Sequence, residues 1–187
     1  MTKIGIIIGS TRPGRVGEQV AKWYYEIAKK RTDAEFELVD IKDYNLPLLD
    51  EALPAGWHQY ENEHTKKWAA KIGEFDGFVM VTPEYNHSTS GALKNAIDYL
   101  AYEWSNKAVG FVSYGSAMGV RAVEHLRLIA GQLQMADVSQ QVMFSLFADF
   151  EDMNKFTPGE NKVNDVNTQL EQLIAWTNAL KPLRENQ

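Results

Sequence analysis

The sequence contains no cysteine, and this absence removes several kinds of chemistry at once. Without thiols the chain cannot form disulfides, bind metals or iron–sulfur clusters through thiolates, or use a cysteine nucleophile. The four histidines are too far apart in sequence for the i, i+4 pair of a helical metal site, so we predict no metal. Any electron transfer would therefore depend on a bound organic cofactor.

Long apolar runs and an excess of positive charge are also missing. No apolar run approaches the roughly 20 residues that span a bilayer, and the six-residue stretch from Ile4 is too short for a signal peptide. The net charge of −6 favours neither a nucleic-acid nor a membrane partner. A length of 187 residues with 44% hydrophobic content fits one folded unit. We expect a cytoplasmic protein that forms a single domain over residues 1–187.

Short β-branched runs alternate with helical periodicity along the chain. Strands are predicted at 4–8, 36–39, 77–81, 108–112 and 138–143, and helices at 16–27, 57–72, 91–102, 119–133 and 163–180. Five apolar strands that alternate with helices indicate an α/β fold, a parallel sheet covered on both faces. The acidic segment 147–162 is interpreted as a long loop. Because ligands bind at the carboxyl ends of parallel strands, the loops after the first, third and fourth strands are candidates.

The loop after the first strand has the composition of a phosphate site. Residues 9–17 read G-S-T-R-P-G-R-V-G, which combines hydroxyls, two arginines and a helix N-terminus that attracts anions. The loop lacks the lysine and hydroxyl of a Walker A motif and the second glycine of a dinucleotide fingerprint. The remaining interpretation is that the loop binds a single terminal phosphate, as in a mononucleotide such as FMN. The alternative is a solvated turn with surface arginines.

Two further loops could hold a flat heteroaromatic ring. In the segment 82–95, Tyr85 offers an aromatic face, and Asn86 offers both a donor and an acceptor. The alternative for this segment is an elaborate helix cap, with the hydroxyls of 88–90 at the helix N-terminus. After the fourth strand, the small residues at 115–119 would let backbone N–H groups approach a ligand.

Taken together, three motifs resemble those of the NADPH-dependent FMN reductase family. They are G-S-T-R-P-G-R at 9–15, P-E-Y-N-H-S at 83–88 with G-A-L-K-N-A-I-D at 91–98, and S-Y-G-S-A-M-G-V-R-A at 113–122. The resemblance implies a flavodoxin-like three-layer sandwich with strand order 2-1-3-4-5. It also implies bound FMN, NADPH or NADH as electron donor, and ping-pong reduction of a flavin, quinone or similar small molecule. A homodimer or homotetramer is expected as well.

The same resemblance assigns the cofactor-binding residues. Those expected at the FMN phosphate are Ser10, Thr11, Arg12, Arg15, Val16 and Gly17. Those expected along one edge of the isoalloxazine are Pro83, Glu84, Tyr85 and Asn86, and those at its pyrimidine end are Ser113, Tyr114, Gly115 and Ser116. No side chain is assigned as a general acid or base, and Tyr85 is a candidate for gating or orienting the acceptor.

Two other functional classes stay open from the sequence. One is a flavodoxin-type electron carrier without a nicotinamide site, although flavodoxins typically have a T-x-T-G-x-T-type phosphate loop. The other is a binding protein controlled by the redox state of its flavin.

The sequence also predicts roles for one acidic residue, the histidines and several aromatic residues. We expect Glu84 to form an ion pair or support its loop, and His87 is a candidate ligand contact, whereas the other histidines are expected at structural or surface positions. Phe144, Phe147, Phe150 and Phe156 are expected in core and interface packing, and Trp57, Trp68 and Trp104 could serve a subunit surface.

Overall fold

The computed structural model describes residues 1–185, and its central feature is a five-stranded sheet. The strands are Thr2–Ile8 (β1), Ala34–Asp40 (β2), Gly77–Pro83 (β3), Ala108–Gly115 (β4) and Ala136–Ser145 (β5). They lie in the order β2-β1-β3-β4-β5, and every neighbouring pair is parallel. The predicted order is confirmed, with the switch at β1 between its neighbours β2 and β3.

Within residues 1–185, five α-helices cover the two faces of the sheet. They are Gly17–Ala28 (α1), Glu63–Gly73 (α2), Gly91–Asp98 (α3), Val120–Gln132 (α4) and Lys162–Glu185 (α5). Side chains of α1 and α5 form one apolar core with the sheet, and those of α2, α3 and α4 form a second on the other face. This is the expected three-layer sandwich. None of these helices is both long enough and apolar enough to cross a membrane.

Two helices are at least four residues shorter than predicted. The helix predicted from residue 57 begins at Glu63, because Trp57 lies in a separate 3₁₀ turn, Ala55–Trp57. The helix predicted to residue 102 ends at Asp98. There the indole N–H of Trp104 donates to the carbonyl of Ile97 at 3.1 Å and so takes up one of the last helical acceptors.

The segment 147–162 is not a plain loop, as was predicted, but contains an antiparallel hairpin. Its strands are Phe150–Glu151 (β6) and Lys155–Phe156 (β7). The rings of Phe150 and Phe156 lie 5.0 Å apart, and Phe156 also packs edge-on against Phe144 and Trp23 at 4.8 and 5.7 Å. Such aromatic contacts favour the folded hairpin over an open loop.

The aromatic residues are distributed differently from the expected pattern. Trp68 and Trp104 are fully buried, so within this chain they belong to the core and cannot form part of a subunit surface. Phe144 and Phe150 are buried as expected, whereas Phe147 is 71% exposed. Trp68 and Trp104 are buried because their rings pack edge-on against each other inside the second core.

A buried glutamine on α5 fills a break in the sheet. The register between β4 and β5 shifts between Val109 and Phe111, which leaves backbone groups without strand partners. The Gln169 amide donates to the carbonyl oxygens of Phe111 and Gln140 at 2.8 and 2.7 Å. Its oxygen accepts from the Tyr24 hydroxyl at 2.8 Å. All polar atoms of this side chain are therefore used.

We expect Gln169→Leu to lower the free energy of unfolding by about 2–4 kcal/mol, because it leaves buried donors and acceptors without partners. Urea denaturation followed by circular dichroism measures this change. Gln132→Leu is the control, because Gln132 is exposed on α4 and should change stability by less than about 0.5 kcal/mol. Equal stability of the two variants would contradict the role of Gln169.

Candidate functional site

A cleft of about 310 Å³ lies at the carboxyl ends of β1, β3 and β4. All three predicted loops contribute to its wall, together with the tip of the β6–β7 hairpin. The predicted residues that line it are Arg12, Arg15, Val16, Pro83, Glu84, Tyr85, Tyr114 and Gly115. The remaining lining residues are Gly14, Leu146, Met153 and Asn154.

Two other predicted residues lie directly behind this wall. Ser10 is fully buried, and its hydroxyl oxygen is 3.5 Å from that of Tyr114. Gly17 packs so closely that a Cβ there would lie 2.5 Å from the Tyr114 hydroxyl oxygen. A side chain at residue 17 would therefore force the Tyr114 or Ser10 side chain to move. Burial raises the pKa of Tyr114 to about 12, so its phenol is neutral.

The other predicted residues lie outside the lining of the cleft. Thr11 is exposed and borders a separate depression with Lys42 and Asn95. The Ser113 hydroxyl donates to the Met118 carbonyl at 2.7 Å and so holds the turn after β4. Asn86 and Ser116 are exposed.

The two arginines of the first loop have different surroundings. Arg15 is 9% exposed, and its guanidinium donates to both carboxylate oxygens of Asp40, one of them at 2.8 Å, and to the Ser10 carbonyl. Arg12 is exposed. Of the six arginines, all of which the structure describes, Arg12 alone has no ion pair. A ligand anion thus meets one free guanidinium and one that is already engaged.

The N-terminus of α1 lacks a capping side chain. Val16 occupies the N-cap position and makes no side-chain hydrogen bond, whereas Ser90 caps α3 by accepting from the Leu93 N–H at 3.0 Å. The N–H groups of the first turn of a helix need an acceptor and attract anions. Since Val16 lines the cleft, these groups lie at its edge.

The loop after β3 is a tight turn. Tyr85 and Ser88 exchange two backbone hydrogen bonds, of 2.9 and 3.1 Å. The intervening Asn86 and His87 have φ of 48° and 72°, as a type I′ turn requires. The turn fixes the half-buried ring of Tyr85 at the wall of the cleft.

Glu84, in the loop after β3, contacts the end of β4 and the start of α4. Its N–H donates to the Tyr114 carbonyl at 3.1 Å, and its carboxylate, 5% exposed, pairs with the Arg121 guanidinium and accepts from the Arg121 N–H at 3.3 Å. The expected ion pair is therefore present. It keeps two walls of the cleft at a fixed separation.

The donor set of this cleft fits a flavin mononucleotide. The uncapped first turn of α1 and the free Arg12 suit a dianionic phosphate. Tyr85 and Tyr114 supply apolar ring surface on the adjoining wall, and Pro83 adds a rigid backbone.

Comparison with known proteins agrees with this geometry. The family model described as NADPH-dependent FMN reductase matches residues 2–149. The chain belongs to this family. Accordingly, it is an FMN-dependent enzyme that takes electrons from NAD(P)H, an oxidoreductase and a flavoprotein.

Individual relatives cover most of the chain. An NAD(P)H-dependent FMN reductase of Nectria sp is 35% identical over 97% of this chain and 90% of its own length. A quinone reductase of Pseudomonas putida is 32% identical over 82% of this chain and 86% of its own. Among solved structures, the flavoenzyme FerB of Paracoccus denitrificans is 20% identical, with a TM-score of 0.73 over 96% of this chain and 98% of that one. This last likeness confirms the flavodoxin-like fold.

Sequence reasoning missed Asp40 and four lining residues of this cleft, Gly14, Leu146, Met153 and Asn154. Asp40 ends β2 directly beside Ile8 at the end of β1, so the strand order could have pointed to it. Met153 and Asn154 reach the cleft from the tip of the β6–β7 hairpin. No periodic pattern in the sequence marks that hairpin, whose strands have two residues each.

The Asp40–Arg15 pair gives a pH-dependent stability. Burial alone would raise the pKa of Asp40, but hydrogen bonds from Arg15 and from the Lys42 N–H hold that pKa below its usual range. A carboxyl whose pKa is lowered by folding stabilises the folded state at pH values above its pKa in the unfolded chain, which is about 3.9. The contribution is lost as the pH falls through the lowered pKa.

We therefore expect Asp40→Asn to lower the melting temperature at pH 7, by a margin that narrows as the pH falls below about 4. Thermal melts between pH 3 and pH 7 measure this margin. Asp43→Asn is the matched control, because Asp43 is exposed in the next turn of the chain. A margin for Asp40→Asn that stays constant down to pH 3 would contradict the ion pair's role.

Proposed function

We propose that residues 1–187 form one FMN-binding domain that reduces quinones, flavins or similar small acceptors with NAD(P)H by a ping-pong reaction. The observation that carries the proposal is the unpaired Arg12 beside the uncapped N-terminus of α1. The quinone reductase among the relatives supports the class of acceptor. When bound, FMN supplies two-electron chemistry, accepting hydride from the nicotinamide and passing the electrons to the acceptor.

In this proposal the two arginines of the first loop have different roles. Arg12 contacts the phosphate through charge-assisted hydrogen bonds, and the N–H groups at the start of α1 complete the set. Arg15 is a positioning residue, because its guanidinium already bonds Asp40 and the Ser10 carbonyl. It keeps the loop in the shape that presents Arg12. The other residues that this proposal assigns to the FMN phosphate are Ser10, Thr11, Val16 and Gly17.

The ring of the cofactor is assigned to the other two loops. Tyr85 orients the acceptor from the wall of the cleft, where the 85–88 turn fixes it. The Glu84–Arg121 pair holds the loop after β3 against the start of α4, so the ring binds in a site that is already formed. The remaining ring contacts in this proposal are Pro83, Asn86, Ser113, Tyr114, Gly115 and Ser116.

The proposal includes a homodimer or homotetramer in the cytoplasm, where NAD(P)H is supplied by metabolism. Phe147 and Met153 are 71% and 57% exposed near the mouth of the cleft, and Trp57 is 63% exposed. Exposed side chains of this size are common in subunit contacts. Analytical ultracentrifugation of the purified protein tests the assembly state directly.

We expect NADPH or NADH, added without oxygen to the FMN-loaded protein, to bleach the visible flavin band within seconds. Adding a quinone afterwards should restore the band, because the quinone takes the two electrons from the reduced flavin and becomes the hydroquinone. Stopped-flow absorbance measures both steps, and free FMN under the same conditions is the control. Absence of bleaching with either nucleotide would instead indicate a flavodoxin-type electron carrier.

We expect Arg12→Ala to weaken FMN binding by about ten- to a hundredfold, since it removes a charge-assisted contact of about 1.5–3 kcal/mol. Lys30→Ala makes the same change of charge just beyond the other end of α1, where Lys30 is exposed, and should leave FMN affinity unchanged. Fluorescence titration of apoprotein with FMN measures both variants. Wild-type affinity in Arg12→Ala would show that the phosphate is bound elsewhere.

A further inference from the structure

A second and larger cavity, of about 550 Å³, lies at the opposite edge of the sheet from the cleft. Phe75 and Asp76 line it just before β3, and Lys107 lines it just before β4. Because a strand rises about 3.3 Å per residue, the length of β3 separates the two sites by about 20 Å. Nothing in the proposed flavin chemistry uses this cavity.

One charged group in its wall is Lys107, which is only 6% exposed. Its ammonium donates to the Ile72 carbonyl at 3.2 Å and lies 5.3 Å from the centre of the Phe78 ring. An ammonium has three donors, and among the described residues Lys107 has no ion pair. Burial lowers the pKa of Lys107 to about 8, so most of the population is charged at neutral pH.

The second charged group is Glu103, whose side chain is 6% exposed. It accepts a hydrogen bond from the Tyr60 hydroxyl at 2.8 Å, and its other oxygen lies 3.1 Å from Nε2 of His58. Across residues 1–185 no lysine or arginine forms an ion pair with it, Lys107 included. The other charged lining residues, Lys66, Glu74, Asp76 and Arg184, each form an ion pair with another charged side chain. Lys107 and Glu103 are thus a buried ammonium and a buried carboxylate that attract each other but form no ion pair together.

Aromatic side chains form the rest of the relevant wall. The rings of His58 and Tyr102 stack 4.7 Å apart at an angle of 23°, and Tyr60 packs edge-on against His58 at 5.5 Å. Phe75 adds apolar surface from the floor of the cavity. This composition favours a ligand with a flat apolar body.

We propose that this cavity binds a small aromatic zwitterion, with its carboxylate against Lys107 and its ammonium against Glu103. A buried charge without a counter-charge is costly. A ligand that carried only an ammonium would leave Lys107 without a counter-charge, and one that carried only a carboxylate would leave Glu103 with Tyr60 and His58 as its sole partners. A ligand that carries both charges compensates both groups. Its ring packs against the stacked pair His58 and Tyr102.

The test uses the full-length, FMN-loaded protein and three probes of nearly equal size. L-Phenylalanine carries both charges, L-phenylalaninamide lacks the carboxylate, and 3-phenylpropionate lacks the ammonium. We expect saturable binding of phenylalanine in calorimetric titration, with either partial probe at least about tenfold weaker. Amide chemical shifts at 69–76 and 103–107 should move on binding, and those of the flavin loops should not.

Two variants test whether Lys107 and Glu103 bind the two charges of the ligand. Lys107→Met and Glu103→Gln should each weaken phenylalanine binding at least about tenfold while the FMN content stays at the wild-type level. Lys155→Met, which removes an exposed lysine on β7, is the matched control and should bind as the wild type does. Absence of saturable phenylalanine binding, equal binding of all three probes, or wild-type binding by both variants would overturn the proposal. None of these outcomes bears on the flavin cleft, which is tested by FMN binding alone.

Discussion

The geometry of the cleft proposed to bind FMN depends on the register of β1 between its two neighbours. Ile8, the last residue of β1, lies opposite Asp40 of β2 on one side and Val81 of β3 on the other. The next residue, Gly9, donates to the Val81 carbonyl at 2.8 Å, and a Cβ there would lie 2.6 Å from that oxygen. The first loop therefore leaves the sheet at one fixed point, close to the carboxylate that Arg15 binds.

The register also explains how an acidic chain can form the proposed phosphate site. The net charge is −6, so an anion is attracted by local groups and not by the overall field. Carboxylates pair with the other arginines, Arg15 included, and this leaves Arg12 available at the start of α1. Local pairing, more than the number of basic residues, decides which cation faces a ligand.

Much of this architecture follows from patterns that the sequence shows directly. Strand runs such as 4–8 and 77–81 are apolar on both faces, which indicates a parallel sheet, and the polar loops that follow them mark the ligand edge. The Glu84 ion pair was expected as well. The hairpin β6–β7 could not be found this way, because its stability comes from ring contacts between Phe156 and residues far away in sequence.

The family could be identified from the sequence alone because its motifs are contiguous, and the three loops that line the cleft could be located because local periodicity places the strands before them. The strand order followed from the resemblance to that family. That Arg15 bonds Asp40 while Arg12 stays free is visible only in the folded chain, because the pairing depends on which carboxylate a neighbouring strand brings within reach. The same holds for Lys107 and Glu103. Their burial in one cavity results from packing between segments, which no spacing in the sequence encodes.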